Sequence, residues 1–489
     1  MNLDTFLELL TDHGQRALAE AGELVSRTDP VTAASTLRRS HPADLTSAAL
    51  VQAGLRARAA AKFGADAARM YFTPAGLEQA TRPEVAAHRA RRLSASGAPH
   101  PSASGPSQTP TSGAPRTPAS GAPRSADRST PDRDMTGTAP DRDMTGTAPD
   151  RDMTGSAPGR EVTGSGPRVA DLCCGIGGDV IELARAGCAV DAADRDPLTA
   201  AVAAANADAL GLSARARIRT ASAEDADPGD YDVVFLDPAR RVSGRRVFDP
   251  LAYSPTLPEA LALAGAAPGA CLKVAPGLPY EFVPAGAEAE WVSYRGEVKE
   301  AALWLGTLAG GTGAADGWDG TGGEPFTRRA TLLPSGETLV ADPRLGPAEH
   351  GKAGRYLYEP DGAAIRAHLV AEVAAMVRGR LLDPHIAYIT ADDRVSTPWA
   401  SCYEIVEMMP FSGKRLRAAL RERGVGNVTL KKRGSAVDIE RLRKDLKLSG
   451  DNSLVVVLTR ISDKPIALLC EPMSSLEQSS TQLNGTISR

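Results

Sequence analysis

The chain is poor in the features that would place it in several large classes. Its six cysteines (Cys173, Cys174, Cys188, Cys271, Cys402 and Cys470) form no CxxC pair and have no histidine partner at metal-ligand spacing. That excludes a zinc ribbon and predicts reduced thiols and no metal. No apolar run reaches the roughly 20 residues that span a bilayer, and Met1-Asn-Leu-Asp-Thr5 lacks the basic start and apolar centre of a signal peptide. A soluble, cytoplasmic protein without a membrane partner is expected. An excess of one charge is also missing: 56 Lys and Arg face 60 Asp and Glu, a net charge of −4 over 489 residues.

That balance conceals an uneven distribution. Residues 412–447 hold twelve Lys/Arg against four acids, a local excess of +8 that leaves −12 elsewhere. Composition divides the rest of the chain. Residues 1–93 are rich in Ala, Leu and Arg with apolar spacing suited to four or five short helices, such as Phe6, Leu7 and Leu10, then Leu55, Ala59 and Phe63. Residues 94–167 are dominated by Ser, Gly, Pro, Ala and Thr. They carry a nine-residue unit, Pro-Asp-Arg-Asp-Met-Thr-Gly-Thr-Ala, starting at Pro131 and Pro140 and recurring in altered form at Pro149. Such units cannot bury a core, so a disordered low-complexity insertion is expected. Residues 168–308 alternate strand and helix, with strands expected at 168–173, 188–193, 215–219, 231–236, 270–275 and 290–294. A Gly-rich linker over 309–326 leads into a second mixed domain, 327–472, and a polar tail, 473–489. In that domain the pattern predicts a hairpin at 330–341 and a helix from Asp361 to about Arg378. A strand near 401–409, a helix at 412–423, a strand at 427–432, a helix at 438–447 and a hairpin at 454–470 follow.

Two segments carry chemistry. The first expected strand runs through Val169-Ala-Asp171-Leu-Cys173-Cys174 into Gly175-Ile-Gly177-Gly178. A dinucleotide fingerprint would place its third glycine at Val180, and a bulky residue there opposes close pyrophosphate packing. Asp171 would repel phosphate but suits a cationic group such as an α-ammonium. The second strand ends at Asp194, and an acid there can accept from both hydroxyls of a ribose; taken alone, Asp194 equally suits a helix N-cap. A nucleoside with an amino-acid tail and no phosphates satisfies these features together, and S-adenosyl-L-methionine is such a molecule.

The order of features resembles the class I S-adenosylmethionine-dependent methyltransferases, which implies an α/β fold: a Rossmann-like sheet with an N-terminal helical region and a C-terminal α+β domain. Under this resemblance Asp171, Cys173, Gly175, Gly177 and Gly178 surround the methionine part and Asp194 holds the ribose. Ser222 and Glu224 fall where the family contacts adenine. Thr81-Arg-Pro-Glu84 is similar to a segment of the trimethylguanosine synthase-type RNA methyltransferases, which implies that Thr81 helps close the cofactor site. If so, the low-complexity segment interrupts one catalytic unit.

Asp237-Pro238 ends the apolar strand 231–236. Methylation of an amine needs acceptors that orient its N–H groups, and a strand-end carboxylate with a carbonyl fixed by proline supplies two. Enzymes acting on exocyclic amines follow this acid with a second proline and an aromatic. Here Ala239 and Arg240 stand instead, and Arg240 can stack or grip phosphate. Lys273 fits either a substrate-side group or a solvated strand-end charge.

Residues 327–472 look like a THUMP-like domain, with Gly426-Asn-Val-Thr-Leu-Lys431-Lys432-Arg433-Gly434 as its signature segment. The resemblance implies structured RNA, tRNA or rRNA, as partner. Arg415, Lys431, Lys432 and Arg433 are the candidate phosphate contacts. Together these features predict an enzyme transferring methyl to a base nitrogen of RNA. Two alternatives stand beside it: an RNA-binding protein that keeps the pocket without turnover, and a methyltransferase for a small molecule or protein.

Overall fold

The computed structural model describes residues 1–95, 166–242, 245–246, 249–310 and 326–473. Most of the low-complexity insertion, most of the Gly-rich linker and nearly all of the polar tail lie outside the described residues.

Four helices open the chain: α1 (Leu3–Leu9), α2 (Asp12–Val25), α3 (Pro30–Leu37) and α4 (Ala43–Phe63). Asn2, Thr11 and Asp29 cap the first three, each side chain accepting from backbone N–H groups of the first turn. Two more follow, α5 (Pro74–Gln79) and α6 (Pro83–Ala95). The helical region is not an isolated bundle. Its core of Phe6, Leu18, Leu45, Phe63 and Phe72 continues into Ile176, Ile181 and Val202 of the following α/β unit.

That unit comprises β1 (Arg168–Leu172), α7 (Gly178–Arg185), β2 (Ala189–Asp194), α8 (Pro197–Ala209), β3 (Ala216–Thr220), β4 (Val233–Leu236), a small pair β5 (Arg241–Val242) and β6 (Arg245–Arg246), α9 (Leu257–Gly265), β7 (Gly269–Val274), β8 (Glu288–Tyr294), β9 (Glu297–Gly306), β10 (Thr327–Leu333) and β11 (Glu337–Val340). Nine of these strands form one sheet in the order β11-β10-β8-β9-β7-β4-β1-β2-β3. β3, β2, β1, β4 and β7 run parallel, and β9 returns antiparallel between β7 and β8. The strand order reverses at β1/β4, so the loops after these two strands open the crevice in which such sheets bind ligands.

All six strands expected from alternation are present, but β9 is an addition. The expected boundary at 327 also needs correction. The hairpin β10–β11 belongs to the first sheet, with β10 pairing parallel to β8 from Thr327–Glu288 to Leu333–Tyr294. It covers an edge that would otherwise leave a row of unpaired backbone groups.

The second sheet contains β12 (Tyr356–Pro360), β13 (Arg380–Asp383), β14 (Ile386–Ala391), β15 (Ala400–Pro410), β16 (Val425–Lys432), β17 (Asn452–Ile461) and β18 (Lys464–Pro472), in the order β13-β14-β12-β15-β18-β17-β16. Its helices are α10 (Gly362–Arg366), α11 (Val370–Met376), α12 (Gly413–Glu422) and α13 (Ile439–Leu446). α10 and α11 pack in a core shared with the first sheet, where Ala363, Leu369 and Val373 meet Trp291 and Ala330. The single helix expected from Asp361 is two, broken at His368 (φ +53°). Arg328 holds the break open by donating to the carbonyls of Ala367 (3.1 Å) and His368 (2.8 Å). The sheet curls so far that Asp383, on β13, accepts from the backbone N–H of Ser462 after β17 (3.1 Å).

Candidate functional site

The C-terminal ends of β1, β2, β4 and β7 meet the segment 73–85 around a cleft of about 590 Å³. The sequence separates the two halves of its wall by the 87 residues between Val85 and Cys173. Gly76 presses on the glycine loop: a Cβ there would lie 2.4 Å from Ile176 Cγ2. Gly177 turns the chain at φ +85° with Ala203 behind it, a conformation that disfavours any side chain. Asn206 of α8 locks both halves together. It accepts from the Tyr71 N–H (2.6 Å) and donates to the Tyr71 and Ile176 carbonyls (3.1 and 2.9 Å).

Among the expected cofactor residues, Thr81, Cys173, Gly175, Gly178 and Asp194 line the cleft. Asp194, expected to hold a ribose, has Oδ2 accepting from Gly175 N–H and Oδ1 from Asp196 N–H, both at 3.0 Å, and so braces the glycine turn. Burial raises its carboxyl pKa despite these bonds. Cys173 takes a positive φ of 68°. Its thiol is held far up by burial and by Asp194 and Asp237, which removes it as a nucleophile. Asp171 lies sealed behind the loop, wholly buried, and neither carboxylate oxygen has a hydrogen-bond partner among the described residues. Burial and the nearby Asp179 and Asp237 carboxylates drive its pKa well up. A buried acid left unsatisfied at the base of a glycine turn suits an ammonium group and repels a phosphate. Ser222 and Glu224 do not reach the cleft. Ser222 caps a single 3₁₀ turn with Asp225, and Glu224 points to solvent.

Asp237, Pro238 and Arg240 line the cleft opposite the glycine loop. The Asp237 N–H donates to Leu172 O (3.3 Å), tying the end of β4 to β1. Lys273 is not a solvated strand-end charge. It is 5% exposed, and its Nζ donates to Asp237 Oδ2 (2.5 Å) and Thr81 Oγ1 (2.7 Å). Thr81 in turn donates to Asp179 Oδ2 (3.1 Å). Arg89 of α6, 1% exposed, bonds Asp179 and Glu300. From the cleft at Asp237 therefore runs a continuous chain of charged and polar side chains: Glu300, Arg89, Asp179, Thr81, Lys273, Asp237. Sequence reading missed Arg89, Asp179 and Glu300. Their only signal was an arginine on the apolar face of an expected helix.

The expected phosphate contacts separate into two groups. Lys431 and Arg433 face inward, where Lys431 donates to Glu359 (2.5 Å) and lies 5.5 Å from the Tyr403 ring. Arg433 sits 3.9 Å from Glu359 and over Tyr388. Lys432 points the opposite way by strand alternation and donates to Val437 O. Arg415 is exposed on α12. α12 and α13 bury Leu416, Leu420, Leu442 and Leu446 against the sheet and expose Lys414, Arg415, Arg421, Arg441 and Lys444.

Comparisons with known proteins agree with this architecture. Residues 400–472 match a family described as THUMP domain-like, and residues 2–59 match a domain of unknown function (DUF8688). A structure from Porphyromonas gingivalis W83, solved as that of a candidate methyltransferase, covers 94% of this chain and 99% of its own with a TM-score of 0.65 at 18% identity. It shares the fold. An S-adenosylmethionine-dependent methyltransferase of Mycobacterium tuberculosis, found alike in strains CDC 1551 / Oshkosh and ATCC 25618 / H37Rv, is 35% identical over 316 residues. The match spans 62% of this chain and 81% of that relative, whose name carries no substrate. With the glycine turn, the unsatisfied Asp171 and the strand-end Asp194 in register, the chain belongs to the S-adenosylmethionine-dependent methyltransferases and ends in a THUMP-like domain.

Proposed function

We propose that this enzyme methylates a base nitrogen of structured RNA, tRNA or rRNA. The observation that carries the reading is the cationic outer face of α12 and α13 within the THUMP-like domain. The four acids of that segment leave it strongly positive, and a polyanion is its natural complement.

S-adenosylmethionine brings a methyl group that is already activated, so the protein's task is to place the acceptor. Asp237 Oδ2 is occupied by Lys273, while Oδ1 carries no hydrogen bond among the described residues. Oδ1 can accept an acceptor N–H, and the Asp237 carbonyl, fixed by Pro238, can accept another. Two acceptors at one strand end orient an amine so that its lone pair points across the cleft. Arg240 Nη1 is buried there without a partner and can stack on or bond to the base. Asp171, Gly175 and Asp194 take the cofactor's side.

The deciding experiment is tritiated methyl transfer to total RNA from a strain lacking the gene, followed by nucleoside mass spectrometry. A labelled, base-methylated nucleoside supports the reading. Cofactor binding by calorimetry without transfer to any RNA would replace it with an RNA-binding protein that holds the cofactor.

A further inference from the structure

The cleft wall holds more cations than its acids engage. Asp179 and Glu300 are taken by Arg89, and Asp237 by Lys273. Asp194 is taken by two backbone N–H groups. Glu78 also lines the wall. Lys62 from the last turn of α4, Arg82 from the α5–α6 link and Lys299 from β9 line the same cleft. Neither Lys62 nor Arg82 has a carboxylate within ion-pair distance among the described residues. Lys62 donates to Leu77 O (2.8 Å), and Arg82 rests over the Tyr294 ring and reaches Ala61 O (3.5 Å). Among the described residues, Lys299 pairs only with the exposed Glu297 (2.6 Å).

Three separate elements contribute these cations to one cleft, and their like charges oppose one another. Burial, then the neighbouring charges of Arg82, Lys273 and Lys299, lowers the Lys62 pKa to about 8. Like charges held at a cavity are stabilised by an anion that enters it.

We infer that Lys62, Arg82 and Lys299 form a phosphate site in the cleft that grips the backbone of the substrate strand next to the acceptor nucleotide. The inference rests on the RNA reading above and extends it, because it makes the N-terminal helical region part of the substrate site. The THUMP-like face would hold the RNA body, and this site the strand that enters the cleft.

Competitive acetylation of the full-length protein at pH 8, read by peptide mass spectrometry with and without total RNA from the gene-deleted strain, tests it. RNA should protect Lys62 and Lys299 while the exposed Lys352 labels equally in both. Protection at Lys432 and Lys444 with none at Lys62 or Lys299 would overturn the phosphate site and leave the RNA reading standing. Protection nowhere would overturn both. As a second readout, Lys62→Gln should reduce the log–log salt slope of RNA binding by about 0.7, the single-strand value for one phosphate contact. An unchanged slope counts against the site even if the variant stays folded and binds cofactor normally.

Discussion

Lys273 Nζ lies 2.5 Å from Asp237 Oδ2, across two adjacent parallel strands of the sheet. The pair sets one carboxylate oxygen and leaves the other facing the cleft. Asp237→Ala should lower single-turnover methyl transfer by about 10²-fold or more, within the range for a positioned catalytic group. Cofactor affinity by calorimetry should stay within a few-fold. Lys273→Met should lower turnover as well, and loss of transfer only in Asp237→Ala would confine the role to the acid.

Among the described residues, Arg89 alone forms ion pairs with both Asp179 and Glu300. Arg89→Met strands two buried carboxylates, so urea unfolding should show a loss of about 3–5 kcal/mol. Adding Asp179→Asn and Glu300→Gln should recover part of it. No recovery would mean that packing of α6, not charge, carries the effect.

Gly177 adopts φ +85°, and a Cβ would stand 3.3 Å from Ala203 Cβ. Gly177→Ala should cost about 1–2 kcal/mol in thermal unfolding for the left-handed conformation alone. Cofactor affinity should fall with it, because the strain falls on a turn whose Gly175 and Gly178 line the cleft.

Asp171 is held well above its ordinary 3.8 by burial. Its charged form is therefore disfavoured in the folded state. This penalty is absent below about pH 3.8 and grows as pH rises through that value toward the folded pKa. Asp171→Asn should raise the melting temperature of the free protein at pH 7, with the gain shrinking toward pH 4. The same change should weaken cofactor binding at pH 7. A variant that binds cofactor as well as the parent would remove Asp171 from the site.

Lys431 and Arg433 are engaged by Glu359, so their reversal would disturb the curled sheet as well as any RNA contact. Arg415→Glu with Lys444→Glu tests the outer face cleanly. RNA binding should lose about 0.7–0.9 of salt slope per neutralised contact, with the melting temperature and cofactor affinity unchanged.

The parallel core of the sheet was legible because its strands are buried on both faces and read as apolar runs ending in Gly175, Asp194 and Asp237. The helices α12 and α13 were legible from their one-sided leucines, and Gly424 marked the end of the first. β9 was not. Its Glu-Ala-Ala-Leu-Trp-Leu run favours a helix by propensity, and pairing with β7 on one side and β8 on the other overrides that preference. The hairpin β10–β11 was visible as a hairpin, but the sheet it joins is a matter of long-range pairing.

The site divides along the same line. The sequence by itself determined the glycine turn after β1 and the strand-end acids, because turn geometry and strand burial are local properties of a few consecutive residues. Only the tertiary structure decided that Lys273 is a buried partner of Asp237, that Arg89 and Glu300 lie beneath it, and that Lys431 and Arg433 turn inward. Those outcomes depend on which charges from distant segments share a low-dielectric space, and residue spacing carries no record of that.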